Sequence, residues 1–139
     1  MKIEIAESEW AIASCFPVMV ELRPHLTSKT FVARVLAQQA QGYQLAYLTE
    51  AEAPVAVAGF RISHNLAWGR FLYVDDLVTL AEQRSHGYGA ALLAWLHSYA
   101  AKAGCEQLHL DSGMQRKEAH RFYEREGIEI VGYHFSQTI

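Results

Sequence analysis

Two short stretches hold the side chains best suited to chemistry. One is an apolar run interrupted by two acids, Tyr73-Val74-Asp75-Asp76-Leu77-Val78-Thr79, and the other is a polar hinge, Arg84-Ser85-His86-Gly87-Tyr88-Gly89-Ala90. Carboxylates in a strand can move a proton or hold a cation. A glycine-containing turn between a strand and a helix suits an anion, because the first N–H groups of a helix have no partner inside it and its dipole is positive there. Gly87 and Gly89 carry no Cβ, so a phosphate can approach the backbone N–H groups of residues 84–90, with Arg84 adding charge. The same glycines would also serve a tight turn that only packs a helix on a strand. Side chains alternate along a strand, so Asp75 and Asp76 are expected on opposite faces, with at most one facing a given cleft.

The flanking sequence supplies the elements that must position these groups. Residues 1–5 alternate like a strand. Ser8 is a suitable N-cap for a helical pattern through Trp10, Ile12, Ala13, Phe16 and Val20, which Pro17 interrupts or kinks. Arg23-Pro24-His25 forms a joint, and Thr27 or Ser28 caps a second helix through Phe31, Val32, Val35 and Leu36, ending at Gly42. Residues 43–49, 55–62 and 68–79 are rich in aromatic and β-branched side chains and predict an antiparallel meander. The hinge then opens a long helix with Tyr88, Leu92, Trp95, Leu96, Tyr99 and Ala103 on one face and Gly104 as its stop. A short strand at 107–111, a fourth helix at 115–126 stopped by Gly127, and a closing strand at 128–137 complete the order. The expected fold is a mixed α/β (α+β) domain with four helices flanking a mainly antiparallel sheet. The long crossover helix makes one neighbouring strand pair parallel.

Composition narrows the partners. A chain of 139 residues predicts one domain, 1–139, and a net charge of −3 gives no electrostatic case for nucleic acid. Cys15 and Cys105 lack CxxC spacing and read as buried thiols, and the seven histidines are scattered, so no metal site is expected. Residues 1–5 do not begin a basic region followed by an apolar run, and nothing approaches a membrane span, so the expected location is the cytoplasm. The tail strand, with Tyr133 and Phe135, either packs in the core or pairs with a second copy to give a homodimer.

The element order and the hinge together resemble the GCN5-related N-acetyltransferase (GNAT) family. Arg84-Ser85-His86-Gly87-Tyr88-Gly89 fits the family's coenzyme A signature at every defined position, in the strand–turn–helix context that the signature requires. Ala119-His120-Arg121-Phe122-Tyr123-Glu124-Arg125-Glu126-Gly127-Ile128 is similar to its second signature. The resemblance is specific over residues 55–139 and rests on element order before that.

It implies a sheet with a splayed parallel strand pair and acetyl-CoA, or coenzyme A, as co-substrate. The implied ligands are the main chain of Leu77, Val78 and Thr79, the hinge residues Arg84, Ser85, His86, Gly87, Tyr88, Gly89 and Ala90, and, by location, His120. It further implies that Tyr123 protonates or hydrogen-bonds the departing thiolate sulfur, that Asp75 is the base and that Asp76 contacts the acceptor. His109 and Asp111 form a second candidate pair, and Gln115-Arg116-Lys117-Glu118 stands where many members carry an asparagine that meets the pantetheine. The implied reaction is acetyl transfer to a primary amine of a small, cationic molecule by direct attack in a ternary complex. Two rivals remain: a coenzyme A sensor without turnover, and a protein or peptide acetyltransferase.

Overall fold

The computed structural model describes all 139 residues. In chain order the elements are β1 (Lys2–Ile5), α1 (Glu9–Ser14), α2 (Phe16–Leu22), α3 (Ser28–Gln39), β2 (Tyr43–Glu50), β3 (Ala53–Asn65), β4 (Gly69–Thr79), α4 (Tyr88–Lys102), β5 (Gln107–Leu110) and α5 (Lys117–Arg125), with a 3₁₀ turn at Ala81–Gln83. There are thus five helices where the sequence suggests four. Ser8 caps α1 by accepting a hydrogen bond from the Ala11 N–H at 3.0 Å, a contact worth about 1 kcal/mol. Pro17, in the first turn of α2, lacks the N–H that would carry α1 onward, and the helix divides at Cys15. Cys15 is fully buried, and burial pushes its thiol up to about 12, so it is inert.

The chain forms two compact units, Met1–His109 and Leu110–Ile139. The sheet order is β1-β2-β3-β4-β5, antiparallel through β4, with β4 and β5 parallel. The alternation of β2 and β3 sorts their side chains to two faces. Tyr43, Leu45, Tyr47 and Val57 join Ile12, Val18, Phe31 and Val35 of the first three helices in one buried cluster. From the other face Phe60 meets α4, with its ring 5.9 Å from Trp95 and 5.2 Å from Tyr99. Burying a side chain such as Phe60 removes apolar surface worth about 1.5–3 kcal/mol.

The second unit holds α5, which ends as expected at Gly127, in the left-handed region at φ 86°. The closing strand expected at 128–137 is not formed: no regular element follows Arg125. A strand exists only through a ladder, and the run Ile130-Val131-Gly132 breaks the period-two pattern that would favour one. No helix of the chain is long and apolar enough to cross a membrane.

Candidate active site

The two acids stand at a break in the β3–β4 ladder. Gly59 pairs with Asp76 and Phe60 pairs with Val74, so Asp75 is an extra residue in β4. Such a bulge sets two residues of one strand against one of the other and interrupts alternation. The expectation that the two acids face opposite ways is therefore wrong: both line one cavity beside α2 and α3. Gly59 makes room for this arrangement. A Cβ built there would run into the Tyr43 hydroxyl and lie 2.5 Å from Asp76 Oδ2.

Each acid has its own arginine. Arg23 donates from Nε to Asp76 Oδ1 at 2.9 Å, with Nη2 also 2.9 Å from that oxygen, and Nη2 donates to the Asp75 carbonyl at 2.9 Å. The Tyr43 hydroxyl donates to Asp76 Oδ2 at 2.8 Å. Burial, and then the Asp76 charge, push the Tyr43 phenol far above its usual range, so it remains a donor. Asp75 Oδ2 accepts from Arg61 Nε at 2.9 Å, and the Arg61 guanidinium lies over the Tyr43 ring, 5.6 Å from its centre. Half-burial raises the Asp75 carboxyl above the ordinary 3.8 even though Arg61 pulls the other way. Asp76 thus has both oxygens engaged, whereas Asp75 has one engaged oxygen and one left to the cavity. The cavity encloses about 380 Å³. Met19, Leu26, Phe31 and Val35 give it an apolar wall, and His25, Arg34 and Gln38 stand with them.

Beyond the bulge, β4 leads to the hinge. Leu77, Val78 and Thr79 pair on one edge with Ala58, Val57 and Ala56 of β3. On the other edge β5 begins beside Arg70, whose carbonyl accepts from the Glu106 N–H at 2.7 Å. At about 3.3 Å per residue, the four residues of β5 do not extend along β4 as far as Leu77. At the hinge Ser85 (φ 69°) and Gly87 (φ 81°) are both left-handed, and Gly87 is the N-cap of α4, with no side chain capping the helix. The first α4 hydrogen bond onto Gly87 runs from the Ala91 N–H at 3.0 Å. The N–H groups of Tyr88, Gly89 and Ala90 therefore have no helical acceptor, on a segment that is exposed or half-exposed. The residues present fit a pyrophosphate: N–H groups without a helical acceptor, left-handed Ser85 and Gly87, and the exposed Arg84. The His86 ring is exposed and contacts its own turn, with Nδ1 2.9 Å from the Gln83 carbonyl oxygen.

In the second unit Tyr123 is buried on α5, and burial raises its phenol above the ordinary 10.0 against the opposing pull of Arg116. The His120 ring meets the Gly113 carbonyl oxygen at 2.8 Å. Asp111 lies 3.4 Å from His134. His109, in the first unit, stacks flat on Trp68 with ring centres 3.5 Å apart.

Tyr43, Gly59, Arg61 and Arg34 belong to the cavity or its frame and escape a reading by motif. One available signal was Gly59, a glycine inside a strand, which marks a bulge or a close approach.

Comparison with known proteins identifies the family. The model of the "Acetyltransferase (GNAT) family" matches residues 6–128. An uncharacterized N-acetyltransferase of Bacillus subtilis (strain 168), YhdJ, is 39% identical over 141 residues, covering 100% of this chain and 98% of that protein. The aminoalkylphosphonate N-acetyltransferase of Salmonella typhimurium is 36% identical over 66 residues, 48% of this chain and 43% of that protein. The aminoglycoside N-acetyltransferase AAC(6')-Iy, solved with CoA, superposes with a TM-score of 0.84 over 99% of this chain and 95% of that one, at 14% identity. With both signatures, the fold and the family model in agreement, the chain belongs to the acetyltransferase (GNAT) family and is an acetyl-CoA-dependent acyltransferase.

Proposed function

We propose that the chain transfers acetyl from acetyl-CoA to the primary amine of a small molecule bound in the cavity beside the β4 bulge. The observation that carries this reading is the Asp75 carboxylate. It faces the cavity, has one oxygen fixed by Arg61 and the other open, and has a raised affinity for a proton. The cavity volume of about 380 Å³ suits a small molecule rather than a peptide segment. The Salmonella relative, by its name, acts on a small amine as well.

An ammonium entering the cavity gives one proton to Asp75. The neutral nitrogen attacks the acetyl carbonyl carbon of the thioester, so that an N–C bond forms and the C–S bond breaks. Tyr123, in the position of the family's second signature, gives its phenolic proton to the departing thiolate, and the nitrogen's second proton, lost as the amide forms, restores the phenol. Burial keeps Tyr123 protonated until that moment. Asp76, held by Arg23 and Tyr43, orients the acceptor. The free N–H groups at the start of α4, with Arg84, would hold the pyrophosphate of the co-substrate, and the outer main chain of Leu77, Val78 and Thr79 its pantetheine arm.

The decisive measurement is thiol release from acetyl-CoA against a panel of polyamines, aminoglycosides, amino acids and peptides. Release with small amines is expected. Tight coenzyme A binding without release from any amine would indicate a sensor, and absence of coenzyme A binding would overturn both readings. Tyr123→Phe, which keeps the ring and removes the hydroxyl, is expected to lower kcat about 100-fold or more and leave coenzyme A affinity unchanged.

A further inference from the structure

We infer that the acceptor amine carries an oxyanion of its own, which Arg34 receives; the inference rests on the acceptor cavity proposed above. The charges of the cavity decide it. Asp76 is paired with Arg23 and Asp75 with Arg61, each at 2.9 Å, so the acids are neutralised by the protein before any acceptor arrives. Arg34 also lines the cavity and makes no ion pair. It stands one turn before Gln38 on α3, on the same side of the helix, and His25 from the loop before α3 lines the same cavity.

Arg34, Gln38 and His25 are all donors to an oxyanion, and the guanidinium fork matches a carboxylate or a phosphonate. The site therefore has two poles. The open oxygen of Asp75 takes an ammonium proton, and the unpaired Arg34 takes a negative group on the same small molecule. A polyamine would satisfy the first pole and place a cation against the second.

Four acceptors of equal carbon count separate the alternatives: an n-alkylamine, an α,ω-diamine, an ω-amino carboxylate and an ω-aminoalkylphosphonate. The wild-type chain is expected to give a higher kcat/KM with an anionic acceptor than with the alkylamine or the diamine. Comparing the planar with the tetrahedral anion identifies which one the fork fits. In Arg34→Gln the ratio of kcat/KM for the anionic acceptor over the alkylamine is expected to fall about 10- to 100-fold, mainly through KM, with Arg34→Lys restoring part of it. A wild-type preference for the diamine or the alkylamine, or a ratio unmoved by Arg34→Gln, would overturn the inference. Calorimetric binding of the same four amines, with coenzyme A present, keeps the two readings apart. Anionic amines that bind, and bind more weakly to Arg34→Gln, uphold the anion subsite even where no acetyl is transferred. Binding of none of the four, or binding indifferent to Arg34, overturns it.

Discussion

The segment from Asp75 to Ala90 has two ends, the bulge inside β4 and the hinge before α4, and they are built by different means. At the bulge, the site consists of side chains drawn from four places in the sequence: Arg23 after α2, Tyr43 at the start of β2, Arg61 in β3 and the acids themselves. At the hinge, the site consists of main-chain N–H groups from consecutive residues, shaped by the left-handed Ser85 and Gly87. The first is specified by contacts across the fold and can be retuned residue by residue. The second is specified by local backbone conformation and tolerates most side chains. A common co-substrate and a variable acceptor would be expected to divide between the two ends in this way.

Substitutions should break the two ends separately. Asp75→Asn is expected to have the largest effect, a loss of about 10²- to 10⁴-fold in kcat/KM for the acceptor with little change in acetyl-CoA affinity. The pH profile should change with it. In the wild-type chain Asp75 must be ionised to accept a proton, so activity rises with pH through a midpoint above 3.8, and that limb disappears in the variant. Stability takes the opposite sign: the folded chain holds this proton more tightly than the unfolded one, so the stabilisation is present below 3.8 and is lost as pH rises through the folded value. Chemical denaturation across that range would show it.

Gly59→Ala drives a methyl group into Tyr43 and Asp76 and is expected to cost about 1–3 kcal/mol of stability, with acceptor KM raised. At the opposite end Gly87→Ala meets no neighbouring atom within 4 Å, so its cost is that of φ 81° alone. That is about 1–2 kcal/mol, with acetyl-CoA KM raised and acceptor KM unchanged. Tyr43→Phe should have the smallest effect, about 1 kcal/mol in thermal denaturation, because Asp76 keeps Arg23 after losing one donor.

The hinge was legible in the sequence because glycine spacing encodes backbone conformation directly: Gly87 lies in the left-handed region that residue type and position suggest. The meander and the long helix were legible for a similar reason, since each shows its own periodicity. The arrangement of the acids was not. Alternation assigns faces only while the register holds, and the register breaks at Gly59/Phe60 because of what lies across the sheet. Arg61 escaped notice too, since a charged residue in an amphipathic strand reads equally well as solvent-facing, and Arg23 was visible only as part of the joint before α3, without its partner in β4. The closing strand failed differently: the tail alternates on either side of Ile130-Val131-Gly132 but not through it, and a partial pattern does not supply the edge that a ladder must join.

The pairing of each acid with a scaffold arginine has a consequence for descent. Because Asp75 and Asp76 draw their countercharge from Arg61 and Arg23, an acceptor is not needed to balance them. An exchange at Arg34, on the separate helix α3, then leaves both ion pairs, and with them the proposed proton acceptor Asp75, untouched. If the proposed site is right, a lineage built on this frame is expected to pass from one amine to another through single replacements on α3, without an inactive intermediate between them.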